Sequence, residues 1–238
     1  KYPEGKAGES FTVPSSVKVI SSYGMANTKL KTVVFSGAPP TFDANAFSGN
    51  GSMLGIGFPQ GRTDWPGSVN GVPTFAIPSA VGNVSASKGT SRSSVTVTWS
   101  EHAVATSYKV YRSDKAGGTK NLLATLSGST VCTDASAQPG VKYYYSVVAY
   151  NGPFASPSSA EVQGWAKEES FSVGYAPGLH GTGDSRSATK TQGVALTLEG
   201  AIFTRTGYAQ TGWSTRSDGS IKDYELGAAY MTDAAITL

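Results

Sequence analysis

The chain has 238 residues, a formal net charge of +3 and only 15 % charged side chains. Its 29 glycines and 12 prolines are more than an ordinary domain carries, and an aromatic content of 11 % is too high for a disordered chain. No apolar run approaches the roughly 18 residues that cross a bilayer, and the charge is too small and scattered to indicate nucleic acid. One cysteine excludes an internal disulfide and a cysteine-based zinc site. We therefore expect a folded, turn-rich, mainly β protein.

The start of the sequence does not indicate a cellular compartment. Lys1 opens the chain, and no apolar stretch of a signal peptide follows it. We expect a mature product or a piece of a longer protein, so the compartment has to be inferred from the modules.

An internal repeat marks the first segment. Residues 13–37 and 38–59 align at an offset of 22, which matches Ile20 to Phe42. A period in the low twenties is typical of a solenoid, whose units bury their apolar edges against one another. Two units are fewer than the roughly three that a solenoid needs. We therefore expect the end of a longer array, closed by Trp65–Gly67; two unrelated β-hairpins are the alternative.

The residues of the first repeat also carry a family resemblance. The spacing P-S-S-V-x-x-I-x-x-x-x-M, followed by L-x-x-V-x-F, resembles the BspA-like leucine-rich repeats of bacterial surface proteins. The sequence departs from that family at Gly24-Met25, where Ala-Phe is usual, whereas Ala46-Phe47 keeps the usual pair. The resemblance implies a short leucine-rich solenoid.

Short strands with a period of two follow in the second segment. Residues 95–99, 108–112 and 143–149 alternate apolar and polar side chains, and an apolar run at 122–126 adds another strand. Turn residues such as Pro139-Gly140 lie between them. This pattern predicts a β-sandwich of about 90 residues.

The motifs of this segment resemble a fibronectin type III domain over residues 78–163. They read V-T-V-T-W, then Y-K-V-Y, then T-D-x-x-x-x-P-G-x-x-Y-x-Y-x-V-x-A-x-N. The resemblance implies that Trp99 fills the core from the second strand. It also implies that Tyr143 forms a tyrosine corner, with its hydroxyl bonded to nearby backbone. Cys132 is interpreted as a buried small apolar residue and not as a nucleophile. No R-G-D tripeptide is present, so integrin binding by that route is not supported.

The third segment carries the most specific motif. Strands are expected at 171–175, 194–198 and 234–238. The run F-x-R-x-G-Y-x-x-x-G-W-x-x-x-x-D-G, which begins at Phe203, resembles the Listeria–Bacteroides repeat, also called the internalin-type B repeat. The resemblance implies a compact β-grasp-like module of secreted and cell-wall proteins, with Trp213 in its core. That family continues past the last strand, so we expect the edge at Leu238 to be incomplete.

Candidate catalytic and phosphate-binding residues have simpler interpretations. His102 and His180 lie in different segments without a G-x-S-x-G elbow, so we expect two exposed loop histidines. The stretch Gly178–Gly183 lacks the lysine and the helix of a phosphate loop, so we expect a plain loop. Ser217–Ser220 holds one carboxylate and predicts a β-turn, not a calcium site.

Acidic and tryptophan residues likewise point away from chemistry. The carboxylates are expected in turns, away from apolar surroundings that would raise a pKa: Asp114, Asp134, Asp184, Asp218 and Asp223. Trp65 and Trp165 are expected to seal module ends, with sugar stacking as the alternative.

These observations predict a mainly β chain of three tandem modules. They are a leucine-rich solenoid end at 1–76, a fibronectin type III sandwich at 77–166 and a β-grasp-like repeat at 167–238. Residues 168–238 hold five basic and eight acidic side chains.

We expect no catalytic, cofactor or metal residues, and the sequence assigns no ligand-binding residue. The predicted function is a non-catalytic extracellular or cell-surface fragment for adhesion, presentation or spacing. Its partner would be a protein or glycan at the cell surface, or another copy. The alternatives are a subunit of an extracellular filament and the accessory modules of a secreted enzyme.

Overall fold

The computed structural model describes residues 8–238, and none of them is helical. The predicted mainly β fold class is therefore confirmed. No segment of 8–238 is a helix with the length and apolar character needed to cross a bilayer. The chain forms two compact units. Unit 1 comprises the described residues up to Lys88 together with Ser94–Ala137 and Lys142–Trp165. Unit 2 comprises Gly89–Ser93, Gln138–Val141 and Ala166–Leu238.

The first part of unit 1 is a parallel-strand repeat. Its strands are β1 (Ser10–Val13), β2 (Val19–Ile20), β3 (Thr32–Phe35), β4 (Thr41–Phe42), β5 (Gly55–Pro59), β6 (Ser68–Val69) and β7 (Val72–Ile77). One sheet has the order β1-β3-β5-β7-β6, in which the first four strands are mutually parallel. Strands β2 and β4 form a separate parallel pair.

The register of these strands confirms the repeat offset of 22. Ser10 pairs with Thr32 and Ile20 pairs with Phe42. The alternative of unrelated β-hairpins is wrong, because hairpin strands are antiparallel. Thr32 pairs with Gly55 and Ile56 pairs with Thr74, so the parallel stacking continues past the two aligned segments without keeping the same offset.

The repeat encloses a core of its own. Leu30, Val33 and Ile56 are fully buried. Trp65 is also buried and packs on Phe58 and Phe35, with ring centroids 5.1 and 5.2 Å apart. Its indole N–H donates to the Gly37 carbonyl at 3.1 Å. The prediction that Trp65–Gly67 closes the array is wrong, because the chain continues into β6 and β7.

The second part of unit 1 is a sandwich of two antiparallel sheets. Its strands are β8 (Ser85–Ala86), β9 (Val95–Thr98), β10 (Ser107–Ser113), β11 (Asn121–Leu126), β12 (Val131–Asp134), β13 (Tyr143–Asn151), β14 (Phe154–Ala155) and β15 (Val162–Gly164). One sheet has the order β12-β9-β8; the other has the order β11-β10-β13-β14, with β15 also on β13. Val95, Val97, Tyr145 and Val147 are fully buried between the sheets. Trp99 is buried as predicted, with its ring 5.4 Å from that of Tyr108.

Residues 166–238 of unit 2 form a third set of strands. They are β16 (Ser170–Tyr175), β17 (Arg186–Thr191), β18 (Leu196–Thr197), β19 (Gly212–Trp213), β20 (Tyr224–Glu225), β21 (Ala229–Tyr230) and β22 (Ile236–Thr237). The first strand, β16, is antiparallel to β17 and parallel to the last, β22. Short antiparallel pairs, β18 with β21 and β19 with β20, occupy the crossover. Trp213 lies in the core as predicted; its ring is 4.7 Å from that of Tyr175, and its N–H donates to the Glu199 carbonyl.

Candidate functional site

A joint of aromatic rings on glycines connects the repeat to the sandwich within unit 1. Strand β5 alternates, so that Ile56 and Phe58 are buried in the repeat core while Gly55 and Gly57 present bare backbone to the other face. Phe154 of β14 lies on that bare face: a Cβ on Gly57 would be 2.6 Å from its ring. Phe75 of β7 packs beside it, with ring centroids 5.9 Å apart.

Further contacts hold the same joint. A Cβ on Gly152, which follows β13, would be 2.5 Å from the Phe75 ring. The Asn151 side-chain amide donates to the Ala76 carbonyl at 3.0 Å, and the Ser79 N–H donates to Gln60 Oε1 at 2.9 Å. The repeat is held against the sandwich by ring packing on the glycine backbone and by these two hydrogen bonds.

Asp134 forms a buried polar cluster inside the sandwich. Its side chain is fully buried at the end of β12 and accepts hydrogen bonds from Arg112 Nη1 (2.9 Å), Tyr145 Oη (2.8 Å) and Ser136 Oγ (2.7 Å). Burial alone would raise the pKa of Asp134, but the bonds from Ser136, Arg112 and Tyr145 outweigh it and lower the pKa. The prediction that Asp134 lies in a turn is wrong. Every carboxylate oxygen already accepts a bond, so the cluster stabilises the fold.

Cys132 is buried in β12, as predicted. Burial, and then the charge of Asp134, raise the pKa of its thiol. A nucleophilic cysteine needs a lowered pKa. Cys132 therefore packs as a small apolar side chain.

His102 differs from its prediction. It is half-buried, not exposed, and its Nε2 is 3.0 Å from the Ser79 hydroxyl. Its Nδ1 accepts a long bond from the Val104 N–H, at 3.5 Å. In the contact with Ser79, the hydroxyl or the ring nitrogen donates according to the tautomer of the imidazole.

A cleft of about 450 Å³ opens in unit 2. One wall is the glycine-rich loop, where the Leu179 N–H donates to the Ser217 carbonyl at 2.9 Å. Another wall is the turn 205–208, in which Gly207 has φ +79° and the Arg205 guanidinium stacks on the Tyr208 ring at 4.1 Å. A third is the turn 216–219, closed by the Gly219 N–H donating to the Arg216 carbonyl, one residue before the turn predicted at 217–220. His180 lines this cleft and is exposed, as expected.

Two further predicted residues, Trp165 and Tyr143, belong to unit 1. Trp165 is half-buried, with the ammonium groups of Lys88 and Lys142 at 5.7 and 5.9 Å from its ring. Tyr143 is buried and stacks under the Arg112 guanidinium at 4.5 Å; its hydroxyl bond to backbone stays a prediction. Within residues 8–238, no three His, Cys, Asp or Glu side chains are grouped as a metal ion would need.

Two features were missed from the sequence although each had a signal. The alternation Gly55-Ile56-Gly57-Phe58 marks a strand with one bare face, and glycine inside a strand indicates close approach of another group. Asp134 shares the parity of buried Cys132 in V-C-T-D, which places its side chain inward.

Comparison with known proteins identifies the sandwich. The model of the fibronectin type III domain matches residues 79–165. An Fn3-like protein from Clostridium thermocellum is 34 % identical, with 38 % of this chain and 95 % of that chain aligned at a TM-score of 0.36. The titin kinase with its flanking domains is 24 % identical over 38 % of this chain and 17 % of that one, at a TM-score of 0.34. Titin domains A168–A170 are 23 % identical over 40 % of this chain and 34 % of that chain, at a TM-score of 0.36.

No curated protein matches the chain. The sequence motifs, the two-sheet sandwich and the family match agree on the same stretch. Residues 79–165 of this chain belong to the fibronectin type III domain family.

Proposed function

We propose that this chain is part of a non-catalytic extracellular or cell-surface multimodule protein that holds binding modules in a fixed arrangement for adhesion. The observation that carries the proposal is the joint at Gly57 and Phe154, because a buried, close-packed joint makes the repeat and the fibronectin type III domain one body. Interfaces between domains that are small and polar permit motion, whereas apolar ones restrict it.

The remaining modules fit this proposal by resemblance. The repeat resembles leucine-rich repeats of bacterial surface proteins, and residues 167–238 resemble the internalin-type B repeat. The module bounds 1–76, 77–166 and 167–238 are part of the proposal. Fibronectin type III domains often mediate protein interactions, so the expected partner is a protein or glycan at the cell surface, or another copy of the chain.

The polar chemistry also favours a binding role. The Asp134 carboxylate is fully occupied by donors, and the Cys132 thiol is buried with a raised pKa. Neither group offers an activated nucleophile or general base.

Surface labelling and attachment test the proposal. An antibody against this chain is applied to intact and to permeabilised cells of the source organism, and cells lacking the chain are compared in attachment to host and matrix proteins. We expect equal labelling of intact and permeabilised cells and a loss of attachment on deletion. Labelling only after permeabilisation, or unchanged attachment, would contradict it.

The joint supplies a matched pair of variants for the same assay. Gly57→Val places side-chain atoms in the Phe154 ring, whereas Gly51→Val meets open space. If fixed spacing matters, complementation with Gly57→Val restores less attachment than complementation with Gly51→Val. Equal restoration of attachment by the two variants would show that fixed spacing is not needed for adhesion.

A further inference from the structure

The cleft of unit 2 concentrates positive charge in an otherwise acidic segment. Its lining holds three cations, Arg205, Arg216 and Lys222, against one carboxylate, Asp218. The rest of residues 168–238 holds two cations and seven carboxylates. Three of the five basic side chains thus line the cleft, and the Asp223 carboxylate, which accepts bonds from the lining residue Thr215, lies beside them. A cleft in which one sign of charge prevails attracts ligands of the opposite sign.

Two of these cations are available to a ligand. Among the ion pairs of residues 8–238, Lys222 pairs with Glu225, but neither Arg205 nor Arg216 forms one. Asp218 is already engaged, since its Oδ1 accepts the Ser220 N–H at 3.0 Å. An arriving carboxylate therefore meets two guanidinium groups outside these ion pairs, that of Arg205 stacked on Tyr208 and that of Arg216 within electrostatic range of Asp223. A guanidinium binds a carboxylate in bidentate geometry.

The lining is also apolar where it faces solvent. Leu179 and Tyr208 are each 68 % exposed and Ile221 is 46 % exposed, and all three line this cleft. Exposed apolar groups gathered in a concave surface mark a binding site.

We propose that this cleft binds an acidic peptide segment that also carries apolar side chains. The guanidinium groups would take its carboxylates, and Leu179 and Ile221 would cover its apolar groups. A peptide is favoured over a sugar because Arg205 already covers one face of the Tyr208 ring, while the other two aromatic rings of the lining, Phe203 and Trp213, pack against each other at the core. This inference rests on the proposed function, since it names the partner of one binding module.

Titration of the isotope-labelled full chain, followed by NMR, tests the inference. The probe is the peptide Ac-Asp-Leu-Asp-Leu-Asp-NH2. We expect shifts confined to the glycine-rich loop and the turns at 205–208 and 216–219, and an affinity that falls with added salt. The same peptide with lysine in place of aspartate, or with serine in place of leucine, is expected to bind at least tenfold more weakly. Shifts elsewhere, or none, would overturn the inference.

Matched variants separate the cleft from general surface effects. Arg216→Glu and Leu179→Ser are expected to weaken binding at least tenfold. Their controls, Arg186→Glu and Val194→Ser, change exposed residues of the same unit outside the cleft and are expected to bind as the unmodified chain does. Equal loss in the controls would contradict the assignment, and so would equal or tighter binding of an oligogalacturonate. Neither surface labelling nor the joint variants depend on this cleft, so the two proposals can fail separately.

Discussion

At the scale of single residues, Asp134 shows how a charge is accommodated inside a small β-sandwich. Its side chain is fully buried, yet Arg112, Tyr145 and Ser136 all donate to it. Removing one partner of such a cluster leaves the others buried and unpaired, which costs more than the pair contributes to stability. The sequence predicts a turn at Asp134 because aspartate is common in turns. The structure places it in β12, where its side chain points to the same buried face as Cys132.

Asp134→Asn tests this cluster. The amide keeps one acceptor but loses the charge that holds Arg112, and we expect a loss of about 3 kcal/mol in the free energy of unfolding. Hydrogen exchange of the buried β13 amides at neutral pH measures it. Asp114→Asn, at an exposed turn, is the control and should change stability by less than about 0.5 kcal/mol. A cost for Asp134→Asn no larger than the control's would show that the cluster is not stabilising.

The same residue predicts a pH dependence. The pKa of Asp134 is lower in the folded chain than the value of about 3.9 usual for an unfolded aspartate. Its contribution is therefore complete above the unfolded pKa and is lost as the pH falls through the folded one. We expect the stability of the sandwich to fall below about pH 4, and to fall less steeply in Asp134→Asn. Parallel slopes for the two chains would contradict the assignment.

At the scale of elements, β5 combines two functions through its alternation. Ile56 and Phe58 fill the repeat core, while Gly55 and Gly57 leave room for Phe75 and Phe154. The repeat offset could be predicted from the sequence, because the two stretches that repeat are adjacent in the chain. The joint could not, because Gly57 and Phe154 are far apart in the chain and only their folded contact shows why the glycines are needed.

Gly57→Val tests the joint. The added side chain meets Phe154 and Ile77, and we expect a loss of about 1–3 kcal/mol with separate unfolding of the repeat and the sandwich. Hydrogen exchange of β3 and of β13 amides resolves the two parts. Gly51→Val, where a Cβ meets nothing within 4 Å, should leave a single transition. Unchanged, concerted unfolding of Gly57→Val would show that the joint is loose.

The turn that carries the cleft wall is equally specific. Gly207 has φ +79° at the third position of the turn 205–208, as a type II turn requires. In Gly207→Ala the added Cβ meets open space, so we expect only backbone strain to lower the free energy of unfolding, by about 1–2 kcal/mol. Hydrogen exchange of β16 amides measures it in unit 2. Gly200→Ala, which also meets open space but lacks a positive φ, should cost less. Equal costs would mean that the turn relaxes freely.

Residues 166–238 of unit 2 include strands too short to be predicted from the sequence pattern. The alternation of β16 is visible in Phe171, Val173 and Tyr175, and Trp213 is placed correctly by its motif. Strands β18 to β22 have only two residues each, too few for a period of two to appear. Lys190 is also hidden from the sequence: its side chain is fully buried and bonded to Asp233 at 2.6 Å. The burial of Lys190 depends on its pairing with Asp233, which is distant in the sequence.

At the scale of the whole molecule, residues that resemble separate families form only two compact units. The repeat and the fibronectin type III domain share unit 1, and their shared joint is the basis for proposing that the chain presents binding surfaces at a fixed spacing. A freely hinged pair would sample many separations, whereas a packed pair has one.

The most direct test of this central claim is the distance between the repeat and the sandwich in solution. Spin labels are attached to cysteines at the exposed positions Ser52 and Ser127 of the full chain, with Cys132→Ala removing the native thiol. Double electron–electron resonance then measures the distance distribution. We expect one narrow distribution that Gly57→Val broadens and Gly51→Val does not. A broad or multiple distribution in the chain with intact Gly57 would contradict it.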